Sequence, residues 1–336
     1  MSSTRVLVVD DSATMRALIR HSLQADPGIE VVGEAADPMQ ARQAIKALDP
    51  DVVTLDIEMP GMNGLEFLDK IMRLRPTPVI MVSTLTQPGQ AATIEALRLG
   101  AFDCVPKPGT GSGRDTLAVL PALVHEAHRA KAQIAGSRDR QISAPQTARA
   151  AWPELVGIGS STGGVEVLIA LLAQFPADTP PVMIVQHLPA SFTASFAARL
   201  DRASPATVVE ARSGEPILPG HVYLAPGGRH MSVRRSGTRL IVSLGDEDPV
   251  QGHRPSVDVL FHSIARTCEG RVTGAILTGM GRDGADGLLA MRGKGFRTLA
   301  QDEATSLVYG MPRVAWEIGA AEKRVPIGAM AKAIFN

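Results

Sequence analysis

Two hydrophobic rhythms alternate along the first third of the chain. RVLVVD (5–10), EVVGEA (30–35), DVVTLD (51–56), PVIMVS (78–83) and FDCVP (102–106) are short β-branched runs. Between them, ATMRALIRHSL (13–23), PMQARQAIKAL (38–48), GLEFLDKIMRL (64–74) and AATIEALRLG (91–100) are longer amphipathic stretches. The first kind suits buried strands and the second suits helices, so the alternation predicts a parallel sheet whose crossovers are helical. TLAVLPALVHEAHRAKA (116–132) reads as a further helix, in which Pro121 predicts a kink or a late start. The rhythm then stops. AGSRDRQISAPQTARA (135–150) is small, polar and charged, and predicts an exposed linker.

A second array begins with the strand ELVGIGSS (154–161) and a helix over 165–174. The strand PVMIVQ (181–186) and the helix SFTASFAARL (191–200) follow. Four short strands, VVEA, HVYLAP, HMSVRR and RLIVSL, separated by Gly and Pro, then suggest an antiparallel hairpin at the sheet edge. The α/β rhythm returns in VDVLFHSIART, GAILTGM, GADGLLAMRGK and FRTLAQ.

Composition narrows the class without changing this outline. A chain of 336 residues with 45% apolar content predicts two cores rather than one. The 34 basic and 34 acidic residues cancel, which removes any global field toward nucleic acid or an anionic membrane. Cys104 and Cys268 stand far apart, outside any C-x-x-C pattern, so neither a disulfide framework nor a thiolate zinc site is expected. No signal peptide or membrane span is read, and a soluble cytoplasmic protein is the expectation.

Candidate chemistry gathers at strand ends. Asp10 and Asp11 end the first strand and Asp56 the third, so three carboxylates reach the carboxyl edge where α/β sheets bind ligands. Such a cluster favours a hard divalent cation, Mg²⁺, beside which an aspartate can attack a phosphoryl group. Ser83 and Lys107 end later strands on the same edge and suit the added oxygens. Any one of these acids could instead be a helix cap; five suitable groups on one edge favour the phosphoryl site.

VLVVDDS, TLDIEMPGMNG, VSTL and VPKP resemble the signatures of two-component receiver domains over residues 4 to 125. The resemblance implies Asp56 as phosphoacceptor, Asp10, Asp11, Asp56 and the Glu58 carbonyl around Mg²⁺, Ser83 and Lys107 as the switch pair, and a cis Lys107–Pro108 peptide. The aromatic residue many receivers carry in the fifth strand is out of place here, where Phe102 and Cys104 flank the region.

In the second array, LVGIGSSTGG runs from a buried strand through small residues into a helix, which sets Ser161 on a tight turn. A serine hydroxyl needs a base, most often histidine, oriented by a carboxylate. His187 follows PVMIVQ and Asp283 follows GAILTGMGR, so both emerge at the edge that presents Ser161. Backbone N–H groups near Thr162 and Met280 are placed to face an oxyanion. Blander readings stand beside these: a phosphate-binding glycine turn, a packed histidine, an N-cap aspartate. His253 and His230 compete for the role of base.

GSSTGG, VQHLPASFTASFAARL, YLAPGGRHM, HRPSVDVLF and ILTGMGRDGADG, taken with the receiver, closely resemble the chemotaxis protein-glutamate methylesterases, the CheB family. Membership implies a flavodoxin-like (βα)5 receiver at 1–125, a linker at 126–151, and a doubly wound Rossmann-like α/β domain with an antiparallel hairpin at 152–336. It implies a phosphorylation-activated serine hydrolase with the triad Ser161, His187 and Asp283. The substrates implied are glutamate methyl esters on methyl-accepting chemoreceptors, with methanol released, and receptor glutamines, which are deamidated. A chemotaxis histidine kinase is the implied phosphodonor. No cofactor is expected in the catalytic domain, no nucleic acid and no membrane insertion, and the chain is expected to be a monomer. Ser160 departs from the family, where alanine is common at that position. Two rivals are weaker: a transcriptional regulator, for which no helix-turn-helix is evident, and an NAD(P)-binding oxidoreductase, which wants an acid where His187 stands.

Overall fold

A computed structural model describes residues 3–59, 63–84, 87–108, 116–131, 134 and 152–336, with the backbone alone for 87–91. The chain forms two compact units, Met1–Asp139 and Arg140–Asn336.

The first unit alternates β1 (Thr4–Val9), α1 (Ala13–Gln24), β2 (Ile29–Ala35), α2 (Pro38–Leu48), β3 (Val52–Asp56), α3 (Gly64–Leu74), β4 (Val79–Ser83), α4 (Gln87–Arg98) and β5 (Asp103–Pro106), and closes with α5 (Leu120–Arg129). Local chemistry starts the helices: the Ser12, Asp37 and Asn63 side chains accept the N–H groups of Met15, Gln40 and Leu65. Pro121 falls at the start of α5, after a 3-10 turn at Thr116–Val119, which is the late start its ring demands. Helix α5 carries past residue 125 to Arg129. Most of the expected linker, 135–151, lies outside the described residues.

The five strands pair in parallel in the order β2-β1-β3-β4-β5. Chain direction across the sheet reverses between β1 and β3, and Val9 sits opposite Leu55, so the next residues, Asp10 and Asp56, share the crevice at this reversal.

The second unit continues with β6 (Leu155–Ser160), α6 (Gly164–Leu172), β7 (Val182–Gln186), α7 (Ala190–Ala203), β8 (Thr207–Glu210), β9 (His221–Leu224), β10 (His230–Ser236) and β11 (Arg239–Gly245). Then come α8 (Val257–Thr267), β12 (Val272–Ile276), α9 (Ala285–Gly293), β13 (Arg297–Gln301), α10 (Met311–Glu317), β14 (Lys323–Val325) and α11 (Ile327–Phe335). Seven strands form a parallel sheet in the order β14-β13-β12-β6-β7-β9-β8. The expected hairpin is β10 and β11, which form a two-stranded sheet of their own, with Pro216 adding an isolated antiparallel bridge to Ile241 of β11. The edge strand is β8, in parallel with β9. The apolar face of the hairpin, Met231, Val233 and Val242, is buried in one cluster with Leu260, Phe261 and Ile264 of α8. Here the direction of winding reverses between β6 and β12, and the ends of β6, β7 and β12 surround that point.

Candidate active site

Strand β6 ends at Ser160, and the chain turns through Ser161, Thr162 and Gly163 into α6; Gly163 takes φ +78°, where glycine carries no steric penalty. Ser161 is 9% exposed, and its N–H donates to the Thr278 carbonyl at 3.0 Å, so that amide is not available to an oxyanion. Gln186, buried at the end of β7, braces the turn. Its Nε2 donates to the Ser161 carbonyl at 2.8 Å, and its Oε1 accepts the Ser160 hydroxyl at 2.6 Å. A Cβ on residue 164 would lie 2.1 Å from Gln186 Oε1, so this brace requires Gly164.

His187 follows directly, its Nε2 2.8 Å from Asp283 Oδ2. Burial pushes the Asp283 pKa up, but the hydrogen bond and charge of His187, the Asp258 N–H and the Ser256 hydroxyl outweigh it and hold the group at about 2. A carboxylate only accepts, so His187 carries its proton on Nε2 when neutral and keeps a lone pair on Nδ1. Nδ1 is buried with no hydrogen-bond partner, which makes it the ring atom able to take a proton. The Asp283 bond thus uses Nε2, the reverse of the nitrogen assignment in the trypsin-type triad.

The competing histidines resolve differently. His253 stacks on His187 with ring centroids 3.8 Å apart and planes 7° from parallel. Burial, reinforced by His187, pushes its pKa down to about 4, so at neutral pH it is an uncharged plate over the His187 ring. His230 is buried with both nitrogens engaged: Nδ1 accepts the Ser256 N–H, and Nε2 bonds the Asp248 carbonyl. Neither replaces His187 beside Asp283.

Met280 and Thr162 flank Ser161. A Cβ on Gly279 would lie 2.8 Å from Ser161 Cβ, so the Met280 loop lies directly against the serine. No hydrogen bond among the described residues uses the Met280 N–H. The Thr162 carbonyl accepts the Thr278 hydroxyl at 3.0 Å, tying the two loops together.

In the first unit, Asp10 and Asp56 are buried, Asp11 is exposed, and one carboxylate oxygen from each falls within 4.8 Å of the others. Lys107 Nζ bridges Asp10 at 2.9 Å and Asp56 at 2.7 Å. Burial pushes the Asp56 pKa up to about 6, with repulsion from Asp10 adding to it, against the hydrogen bond and charge of Lys107. The Glu58 N–H donates to Asp56 Oδ1 at 3.3 Å. Ser83, fully buried, ends β4, and its carbonyl accepts the Lys107 N–H. Phe102 is fully buried. Lys107–Pro108 is not cis as the receiver resemblance implied; the cis peptide among the described residues is Arg254–Pro255. Trans is the lower-energy state of an X–Pro bond, and Lys107 reaches both carboxylates from it.

Residues 156–334 match the family described as CheB methylesterase, and residues 6–114 match the response regulator receiver domain. The chain belongs to the CheB methylesterase family. A relative from Caulobacter vibrioides, named protein-glutamate methylesterase/protein-glutamine glutaminase 1, is 57% identical, with 100% of this chain and 98% of the relative covered. A protein-glutamate methylesterase/protein-glutamine glutaminase from Agrobacterium fabrum is 53% identical, with 99% and 96% covered. The solved catalytic domain of the Thermotoga maritima CheB methylesterase superposes with a TM-score of 0.53 at 36% identity, covering 54% of this chain and 97% of that one. No helix among the described residues is long and apolar enough to cross a membrane.

Sequence reasoning passed over Gln186, Ser256 and Asp258. Gln186 had a signal, a polar residue closing an otherwise apolar strand. Ser256 had a weaker one, since it reads as the N-cap of a helix; its bond to Asp283, 27 residues away, is tertiary.

Proposed function

We propose that the chain is a phosphorylation-activated serine hydrolase that cleaves glutamate methyl esters on chemoreceptors, releasing methanol, and deamidates receptor glutamines. The observation that carries this reading is the His187–Asp283 pair at 2.8 Å beside the glycine-flanked turn of Ser161. Asp283 holds Nε2–H, leaving Nδ1 to remove the Ser161 proton as the oxygen attacks the ester carbonyl. The N–H groups of Thr162 and Met280 are the proposed oxyanion donors. The proton on Nδ1 passes to methoxide, methanol leaves, and water repeats the sequence in reverse on the acyl-enzyme. With an amide substrate the leaving group is ammonia.

The acidic crevice of the receiver is the proposed control. Its donors are all oxygens, and a single ammonium spans two buried carboxylates, one of them destabilised as an anion, which fits a divalent cation of the Mg²⁺ type. Asp10, Asp11, Asp56 and the Glu58 carbonyl are the proposed ligands. Bound Mg²⁺ supplies charge neutralisation for the incoming phosphoryl group. Asp56 accepts that group, and Ser83 and Lys107 bind its oxygens; a chemotaxis histidine kinase is the proposed donor, with a cytoplasmic, monomeric enzyme as the setting. The proposed domain limits are those of the sequence reading, 1–125, 126–151 and 152–336, with α5 carrying the end of the receiver on to Arg129. Fusion in one chain keeps the two units at high effective concentration for each other, so autoinhibition relieved by phosphorylation is the proposed gate.

Methanol release from methylated receptor membranes, with and without a small-molecule phosphodonor, tests both parts. Ser161→Ala should lose activity by on the order of 10⁴-fold or more, and Asp56→Asn should retain basal activity without stimulation. Persistent methanol release from Ser161→Ala ends the hydrolase reading; full stimulation of Asp56→Asn ends the gating one.

A further inference from the structure

Asp283 is held by more than the base it orients. Its Oδ1 accepts the Ser256 hydroxyl at 2.7 Å and the Asp258 N–H at 3.0 Å, and its Oδ2 accepts the Val257 N–H at 2.8 Å besides His187 Nε2. All the donors other than His187 belong to the opening of α8, whose N-cap is Ser256. A helix start suits an anion, because its first amides lack intrahelical partners.

Among these helix donors, Ser256 supplies the side chain. Its oxygen also accepts the Val259 N–H, at 3.4 Å, as the cap of α8. The hydroxyl proton is therefore committed to Asp283. The main chain at Ser256 is fixed in turn, since its N–H donates to His230 Nδ1 at 3.2 Å and His230 Nε2 bonds the Asp248 carbonyl at 3.1 Å. A continuous run of hydrogen bonds thus leads from Asp248 through His230 and Ser256 to Asp283 and the base.

The anchoring is reciprocal. Asp258, in the first turn of α8, accepts at Oδ1 the N–H of Gly287, in the first turn of α9, at 2.7 Å, and at Oδ2 the Gln251 Nε2–H at 2.7 Å. Asp283 lies just before α9 and caps α8. Each helix start is held by the aspartate of the other, and Ser256 closes the crossing on the catalytic side.

We propose that Ser256 is a positioning residue for the hydrolysis: its hydroxyl fixes the Asp283 carboxylate so that His187 stays in the Nε2–H form with Nδ1 as the base. This rests on the Ser161 hydrolase reading above.

The test uses the full chain and two substitutions. Ser256→Gly removes the hydroxyl yet leaves a residue that N-cap positions tolerate, and Ser256→Thr keeps the hydroxyl. Methanol release and ¹⁵N-histidine NMR are measured on each, with the His187 signals identified by their loss in His187→Gln. Ser256→Gly should lower kcat by roughly tenfold, the scale of one lost hydrogen bond to a charged group, with KM nearly unchanged. The His187 Nε2–H resonance should broaden or give way to a mixture of tautomers. Ser256→Thr should restore both. A wild-type kcat and an unaltered Nε2–H signal in Ser256→Gly overturn the proposal, as does a loss of kcat that Thr shares while its Nε2–H signal is intact. The NMR signal reports on Asp283 and His187 whether or not Ser161 is the nucleophile. A surviving Ser161→Ala activity therefore condemns the hydrolase reading separately from the positioning one.

Discussion

Two buried aspartates sit at corresponding places in the two units, each at the carboxyl edge of a parallel sheet beside its point of reversal, and each with a cationic or protonatable partner close by. Asp56 has Lys107 at 2.7 Å and Asp283 has His187 at 2.8 Å. Burial pushes both pKa values up, yet Asp56 ends at about 6 and Asp283 at about 2. The difference lies in the remaining neighbours. Asp283 accepts a hydroxyl and two helix-start amides, whereas among the described residues Asp56 accepts one long amide bond and has a second carboxylate, Asp10, alongside. A fully solvated-by-protein carboxylate is a permanent fixture that orients its partner. An under-solvated one is an anion waiting for a counter-charge, which suits the phosphoacceptor role proposed for Asp56.

The strongest way to break this comparison is to take the charge from Asp283 while keeping its shape. Asp283→Asn turns an acceptor toward His187 into a possible donor and favours the Nδ1–H tautomer, which removes the base. Methanol release should fall by on the order of 10⁴-fold. A loss of tenfold or less would mean that the Nε2–H form does not depend on the carboxylate.

Acid stability separates the two aspartates by sign. The folded-state pKa of Asp283 is below its unfolded value, so its contribution is present above about pH 4 and disappears as the pH falls toward about 2, a change of about 2 kcal/mol. Asp56 is shifted the other way, so its effect favours the folded receiver at low pH and fades as the pH rises through about 6. Urea melts of residues 152–336 should therefore show the acid loss, and Asp283→Asn should flatten it. An unchanged slope in that variant would assign the loss to other groups.

The smallest expected effect concerns Ser160. Ser160→Ala leaves Gln186 Oε1 buried without its 2.6 Å donor, which should lower stability by about 1–3 kcal/mol. The Ser161 carbonyl keeps its own bond from Gln186 Nε2, so methanol release should stay within a few-fold of wild type, as roughly expected when only a supporting bond is lost. A collapse of activity equal to that of Ser161→Ala would move the nucleophile to Ser160.

Much of this architecture was legible because it is periodic. The β-branched runs at 5–10 and 51–56 place Asp10 and Asp56 at strand ends, and parallel order brings those ends together without any knowledge of side-chain packing. The same logic placed Ser161, His187 and Asp283 just beyond the ends of β6, β7 and β12, where they lie. It stopped where periodicity is short or absent: α10 has seven residues, β14 has three, and neither they nor α11 was read from the pattern. VVEA and HVYLAP resemble hairpin strands in sequence, yet β8 and β9 join the parallel sheet, because strand direction is set by how the intervening chain returns. Ser256, Asp258 and Gln186 act through partners 25 to 29 residues away, a distance at which local pattern carries no information.

The crossed aspartates of α8 and α9 also bear on how the enzyme fails. Separating the two helix starts strands two buried carboxylates at once, so these helices should open together rather than fray singly. Asp283 is one of those carboxylates, and it cannot let go of α8 without letting go of His187. Heat inactivation and hydrogen exchange at Val257, Asp258 and Gly287 should therefore follow a single curve, with little room for a folded but silent enzyme between the working state and the melted one.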